Sequence, residues 1–148
     1  MSYQNALSTY KETRIKTAGQ GQLIIMLYSA AVRKLDEALD LLEINDSGKR
    51  DPGNIEKVGK AVVKTQEIIS ELMVSLDFEQ GGDIAVNLFS LYTWFNRELM
   101  EANINKDAKR ISIVRNHLDD LRSVWQEIVS TTAFETVNNE ILGVNIAM

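Results

Sequence analysis

A single histidine, His117, is all the imidazole this 148-residue chain offers for acid–base or metal chemistry. Dimetal carboxylate sites in helical bundles need Glu-x-x-His on two helices together with further glutamates, and the residue three before His117 is Val114. No Gly-x-Ser-x-Gly motif accompanies it as a nucleophile, and Leu118 and Asp119 beside it suit a surface or boundary position. Gly19-Gln20-Gly21 lacks the Lys-Ser/Thr ending of a phosphate-binding loop, and Gly81-Gly82 follows a helical pattern rather than a strand, so both glycine pairs read as turns. Glu67 with Glu71, and Glu98 with Glu101, share helix faces; such pairs are more often a solvated face than a metal edge. Cysteine is absent, which removes thiolate and disulfide chemistry. These residues predict no catalytic site, no metal and no cofactor.

Aromatic rings at helical spacing offer recognition instead. They gather in Asp83–Phe95, where Ile84, Leu88, Leu91, Phe95 and Leu99 follow one another by three or four positions and form one apolar stripe on a helix. The expectation is that Leu88, Leu91 and Phe95 face the core while Tyr92 and Trp94 flank it, rings apolar and tips polar, as at a wet-edged interface. A core helix with aromatics at its margin is the plainer reading.

The elements that must position these residues are helices. Composition is that of an ordinary globular chain, 45% hydrophobic and 25% charged, with Pro52 as the only proline. The length suits one domain, residues 1–148. A net charge of −5 does not suit phosphate-backbone binding, so nucleic acid is not an expected partner. Met1–Asn5 lacks the basic and apolar run of a secretory signal, and the uncharged stretch Thr17–Val32 is too short and too polar to span a membrane. A cytoplasmic protein without membrane insertion is expected.

Residues 1–18 read as a strap or short helix carrying Tyr3, Leu7 and Tyr10 at helix-compatible spacing. A first long helix is expected from about Gln22 to Ile44, with Ile24, Tyr28, Ala31, Leu35, Ala38 and Leu42 as its seam. Leu23–Leu27 is apolar all round and needs cover on more than one side. Asn45–Gly53 collects turn-forming residues. A second helix should start near Asn54, with Ile55, Val58, Val62, Thr65, Ile69, Leu72 and Leu76 inward, and close at Gly81-Gly82. Asp83 is the expected N-cap of the aromatic helix, which should run to about Ala102. Ile111, Val114, Leu118, Leu121, Trp125 and Ile128 give the fourth seam. The fold predicted is all-α: an antiparallel up-down-up-down four-helix bundle over 22–129, with the N-terminal strap or short helix and a candidate fifth helix in the tail, 130–148. In that tail Phe134, Val137, Ile141, Val144 and Met148 fit one helical face; a disordered terminus is the alternative. A tail lying in a groove as an intramolecular competitor would weaken partner binding, and its removal would tighten it. On the residues alone, a binding module and a closed structural domain are equally supported.

Several short matches carry a resemblance. Thr17-Ala18 before Leu23–Tyr28, then Ile68-Ile69-Ser70-Glu71-Leu72 with Ser75-Leu76-Asp77, Gly81-Gly82, Asn87-Leu88, Leu91-Tyr92 and Ala102-Asn103 resemble, in order and spacing, the FliS family of flagellar secretion chaperones. The likeness runs from about Tyr3 to Ile128. It departs where Gly19-Gln20-Gly21-Gln22 stands in place of a Ser-Pro-x-Glu start and where Ser29-Ala30 replaces an acidic residue and glycine.

The resemblance implies a cytoplasmic, non-enzymatic chaperone. It would bind the C-terminal segment of flagellin, prevent premature polymerisation and assist delivery to the flagellar type III export apparatus. It also brings an export-gate component, an anti-sigma factor or a co-chaperone into view as further partners. Candidate client contacts are Tyr3, Leu7 and Tyr10, matching the family's N-terminal motif, and Ile68, Leu72, Leu91, Tyr92 and Trp125 at motif or seam positions. A plain core role is the first reading for Leu72, Leu91 and Trp125. The alternatives are a helical adaptor for another export or regulatory protein, and a structural bundle that dimerises through the aromatic helix.

Overall fold

Each helix starts and stops where local chemistry dictates. In the computed structural model, residues 19–43 and 51–132 are described and form four helices: α1 (Gly19–Glu43), α2 (Pro52–Val74), α3 (Phe78–Asn105) and α4 (Ala108–Thr132). Residues 1–18, 44–50 and 133–148, and with them the expected strap, the end of the first helix at Ile44 and the candidate fifth helix, lie outside the described residues. Asp51 caps α2, its carboxylate accepting from the Gly53 amide at 2.8 Å, and Pro52 occupies the first turn, where a missing N–H costs nothing. Helix α2 therefore begins two residues before the expected Asn54. Lys106, left-handed at φ 51°, ends α3 and returns its amide to the Ala102 carbonyl.

The glycine pairs behave differently from the turns expected of them. Gly21 lies inside α1, and a Cβ there would come within 2.9 Å of Val129 Cγ2. Its lack of a side chain lets α4 approach closely. Helix α2 closes at Ser75, short of Gly81-Gly82. Asp77 then caps α3 by accepting from the Glu79 and Gln80 amides at 3.1 and 3.0 Å. Asp83, expected to be the cap, instead follows a kink: Gly82 has φ 50° and ψ −124°, interrupting α3 after one turn.

Neighbouring helices run antiparallel. Along α1 from Gly21 to Asp36, the partners on α4 descend from Val129 to Arg115. Along α2 from Gly59 to Gln66, those on α3 descend from Asn103 to Asn96. The main contacts are α1 with α2, α1 with α4, α2 with α3, and α3 with α4, which closes a ring of four. This is the up-down-up-down bundle that the periodicity predicted. Helix α1 is the most engaged member: Leu23, Ile24, Ile25 and Leu27 are all buried, so its apolar start is covered on several sides as required. The core continues through Val58, Val62, Ile69 and Leu72 of α2 and Ile111, Val114 and Leu118 of α4. Thr65, the polar member of the α2 seam, is fully buried and donates its hydroxyl to the Ala61 carbonyl at 2.9 Å, which removes the cost of burying it.

The α3 stripe holds in part and is turned from its expected place. Phe95 and Leu99 are buried as expected and Leu88 and Leu91 pack on the core half-buried, whereas Ile84 is 42% exposed and Ala85, Tyr92 and Ala102, outside the expected stripe, are buried instead. Tyr92 is core, not margin. Glu71, assigned to a solvated face by its spacing from Glu67, is likewise buried.

The Gly82 conformation is one that side-chain-bearing residues avoid, and an added Cβ would meet nothing within 4 Å. Gly82→Ala should therefore cost about 1–3 kcal/mol from the backbone alone. Denaturant unfolding checks this; an unchanged midpoint would show that the kink is not needed.

Candidate functional site

Tyr92 is held from across the bundle. Its hydroxyl hydrogen-bonds that of Tyr28 on α1, with ring centroids 6.5 Å apart, so diagonal helices meet in the core. Buried hydroxyls need partners, and these supply one another's. Burial is the main cause that lifts Tyr28 well above the usual 10.0, with the nearby Tyr92 adding to it. Trp125 of α4, also buried, acts on Tyr28 in the opposite sense to burial, lowering its pKa as the smallest of the causes. Tyr92 is pushed up to about 12 by burial, against a smaller lowering by its bond to Tyr28.

With Tyr92, Phe95 and Leu99 turned inward, the neighbouring stripe of α3 faces α4. Trp94 packs edge-on against His117 with centroids 5.7 Å apart, and His117 also lies against Phe95 at 6.0 Å. One turn from that contact in each helix stand Leu91 and Leu121. Continuing away from it, α3 presents Leu88 and Ile84, and α4 presents Val124 and Ile128. Leu88, Leu91, Trp94, Leu121 and Ile128 pack on the core but stay partly open, while Val124 is 50% exposed. Of the four main helix pairings, α3 with α4 is the thinnest. Towards the α3–α4 turn the apolar strip stops at Arg110, which stands 3.9 Å from both Glu98 and Glu101 and 3.7 Å from Asp107. Among the described residues the seam is thus an apolar strip with a polar stop at its Arg110 end.

The sequence-predicted site residues divide. Leu91 lies in this seam. Ile68, Leu72, Tyr92 and Trp125 are buried in the core beneath the surface, and Tyr3, Leu7 and Tyr10 lie outside the described residues. Trp94, Val124 and His117 had not been named as contacts. The signal available for them was the second apolar face of α3, visible once Ala85 and Ala102 are counted as core. Another depression, about 450 Å³ between α2 and α3, is lined by Glu56, Lys60, Lys64 and Glu67 among others. Its lysines pair locally, Lys60 with Glu56 at 3.3 Å and Lys64 with Glu67 at 3.9 Å, as on a solvated face. Among the described residues no group of three His, Cys, Asp or Glu is placed to hold a metal ion, and no helix is long and apolar enough to cross a membrane.

Fold and seam together describe an all-α bundle with an open apolar strip and no assembled catalytic constellation among the described residues. The profile of the family described as "Flagellar protein FliS" matches residues 3–132. The chain is 34% identical over 125 residues to the flagellar secretion chaperone FliS of Salmonella typhimurium (strain LT2), covering 84% of this chain and 87% of the relative. It is 25% identical over 131 residues to that of Bacillus subtilis (strain 168), covering 88% and 91%, and 30% identical over 118 residues to that of Escherichia coli (strain K12), covering 78% and 80%. The chain belongs to the FliS family, a family of chaperones and not of enzymes.

The tyrosine pair makes stability pH-dependent. Between pH 10 and about 12 the unfolded chain loses protons that the folded chain keeps, so stability is full below pH 10 and falls as pH rises through that window. Tyr92→Phe alone should cost about 1–3 kcal/mol at neutral pH by leaving the Tyr28 hydroxyl without its partner. Tyr28→Phe with Tyr92→Phe should cost less than the two single changes summed, and should flatten the alkaline decline. Urea unfolding at pH 7 and across pH 9–12 measures both; additive costs with an unaltered pH profile would remove the pair from the account.

Proposed function

We propose that this protein is a cytoplasmic export chaperone that binds the C-terminal segment of flagellin, prevents its premature polymerisation and assists its delivery to the flagellar type III export apparatus. Family membership supports a role in flagellar export. The observation that carries the client-binding step is the half-open strip of Leu88, Leu91, Trp94, Leu121 and Ile128 between α3 and α4. An amphipathic client helix laid along it by the helix-in-groove mode hides its own apolar face and completes the strip. A client segment disordered on its own folds as it docks, and the ordering cost is set against the apolar surface removed from water.

Leu91, Trp94 and Val124 are the contacts proposed within this strip. Ile68, Leu72, Tyr92 and Trp125 support it from the core, where they fix the rotation and spacing of the helices. Tyr3, Leu7 and Tyr10 are retained as an N-terminal strap that covers the site until client displaces it. Chaperoning of this kind needs no nucleotide and no metal: the chemistry is burial and release of an apolar helix face.

Isothermal titration calorimetry against flagellin, intact and lacking its C-terminal segment, tests the reading. Binding is expected only to the intact form, with a large negative heat-capacity change. Val124→Glu puts a charge in the strip at an exposed position and should weaken binding at least tenfold, roughly 1.4 kcal/mol, without lowering thermal stability. Equal binding to the truncated flagellin would refute the C-terminal specificity, and full affinity in Val124→Glu would move the client off this seam.

A further inference from the structure

Helix α3 has a second groove, on its α2 side, and its chemistry is the reverse of the apolar seam. Helix α2 carries Lys57, Lys60 and Lys64 at steps of three and four, one row along its outer face. Lys60 and Lys64 border the 450 Å³ depression towards α3. With Lys57 they also border one of about 290 Å³ towards α1, where Lys34 lies opposite. On the α3 side the Lys106 ammonium stands 3.6 Å from where a Cβ on Gly59 would lie. Five lysines thus share this face with three carboxylates, Glu37, Glu56 and Glu67, on a chain whose net charge is −5.

Gly59 turns the charged face into a site. It lies inside α2, where glycine is destabilising relative to alanine. Packing within the bundle does not require it: an added Cβ would meet Asn103 Oδ1 and Lys106 Nζ at 3.6 Å, an ordinary contact distance. Gly21 differs, since a Cβ there would come within 2.9 Å of Val129. A glycine that the bundle itself does not need keeps the groove floor low, so that a foreign backbone can approach. Val63, 47% exposed, adds an apolar wall. Asn103 has its Oδ1 engaged by the Lys106 ammonium, which leaves its amide N–H groups as donors. Apart from the glutamates, the polar groups around the groove are donors, and they suit a ligand rich in acceptors.

We propose that the outer face of α2 and the α2–α3 groove form a docking site for an acidic segment of a second protein, separate from the client seam. Partner carboxylates pair with Lys57, Lys60 and Lys64, and the partner backbone passes over Gly59 and accepts from Asn103. The pairs already present, Lys60 with Glu56 and Lys64 with Glu67, are exposed and worth little, so exchanging them for a partner costs little. Lys57 takes part in no ion pair among the described residues. The interspersed glutamates disfavour nucleic acid and anionic membrane, whose closely spaced phosphates would meet them as well as the lysines. An acidic peptide can space its carboxylates to avoid them. Because groove and seam flank α3 on different sides, one chaperone can hold both proteins at once. The site stands whether or not the seam binds flagellin.

The test measures fluorescence anisotropy of a short fluorescein-labelled peptide of glutamate and glycine against the full chain, with the glutamine–glycine peptide as control. The glutamate peptide should bind, weakening as salt is raised, and the control should not. Lys60→Gln with Lys64→Gln should weaken binding about tenfold. Gly59→Leu, which fills the groove floor without altering charge, should do the same. Gly59→Ala should raise the melting temperature, and flagellin affinity should be unchanged in all these variants. No binding of the glutamate peptide, or equal binding of the control, overturns the proposal. Full affinity in Gly59→Leu overturns the groove, and a lower melting temperature in Gly59→Ala returns that glycine to a packing role. Tighter binding of duplex DNA or phosphatidylglycerol vesicles than of the peptide overturns the assignment to a protein segment. Flagellin affinity lost in these variants overturns the separation of the two sites.

Discussion

The hydrogen bond between Tyr28 and Tyr92 is the constraint on which the arrangement of α3 depends. In a ring of four helices, diagonal members are otherwise coupled through their neighbours, and here two buried hydroxyls join α1 to α3 directly. A hydroxyl buried without a partner is costly, so the rotation of α3 that pairs them is strongly preferred over rotations that do not. Two diagonal helices are therefore oriented by one pair of hydroxyls inside an apolar core.

Rotation of α3 has a consequence at the surface. Once Ala85, Tyr92, Phe95, Leu99 and Ala102 are inward, the larger side chains at Ile84, Leu88, Leu91 and Trp94 cannot also be fully buried. They line the seam with α4, where packing is thinnest. The small alanines inside and large residues at the edge thus turn a core helix into one with a second apolar face. A closed structural domain would have little use for that face, whereas a chaperone of amphipathic segments needs one.

The kink at Gly82 belongs to the same end of the molecule. It sets the first turn of α3 apart and leaves Phe78, 49% exposed, edge-on to Phe89 at 5.9 Å. At the opposite end, Arg110 and its carboxylates give the seam a polar stop. Further round, Arg115 reaches Asp36 through Nε at 2.8 Å and ties α4 to α1 rather than to α3. Helix α4 is held by its neighbour on one side, with Gly21 allowing close approach, and by looser contacts on the other. Among the described residues α4 thus has firm support towards α1 and thinner packing towards α3.

Much of this was legible in the residues themselves. Three-and-four spacing along α1, α2 and α4 identified the helices and most of their core, Thr65 included, because a buried helix face must be apolar wherever it packs. The likeness of Leu23–Tyr28, Ile68–Leu72 and Leu91-Tyr92 to FliS family segments indicated the family. On α3 periodicity found Phe95 and Leu99 but misjudged the rotation, because Ala85 and Ala102 are small enough to escape notice as core and Ile84 draws attention to the exposed side. It also could not tell that Gly21 is an approach point rather than a turn, or that Asp77 and not Asp83 caps α3. Those outcomes depend on what lies across from each residue: Val129 for Gly21, Tyr28 for Tyr92, His117 for Trp94. The sequence by itself determined the elements and the family because both are local patterns along the chain. Only the tertiary structure decided which apolar face is core and which is left open, because that choice is made by packing volume and hydrogen-bond partners on other helices.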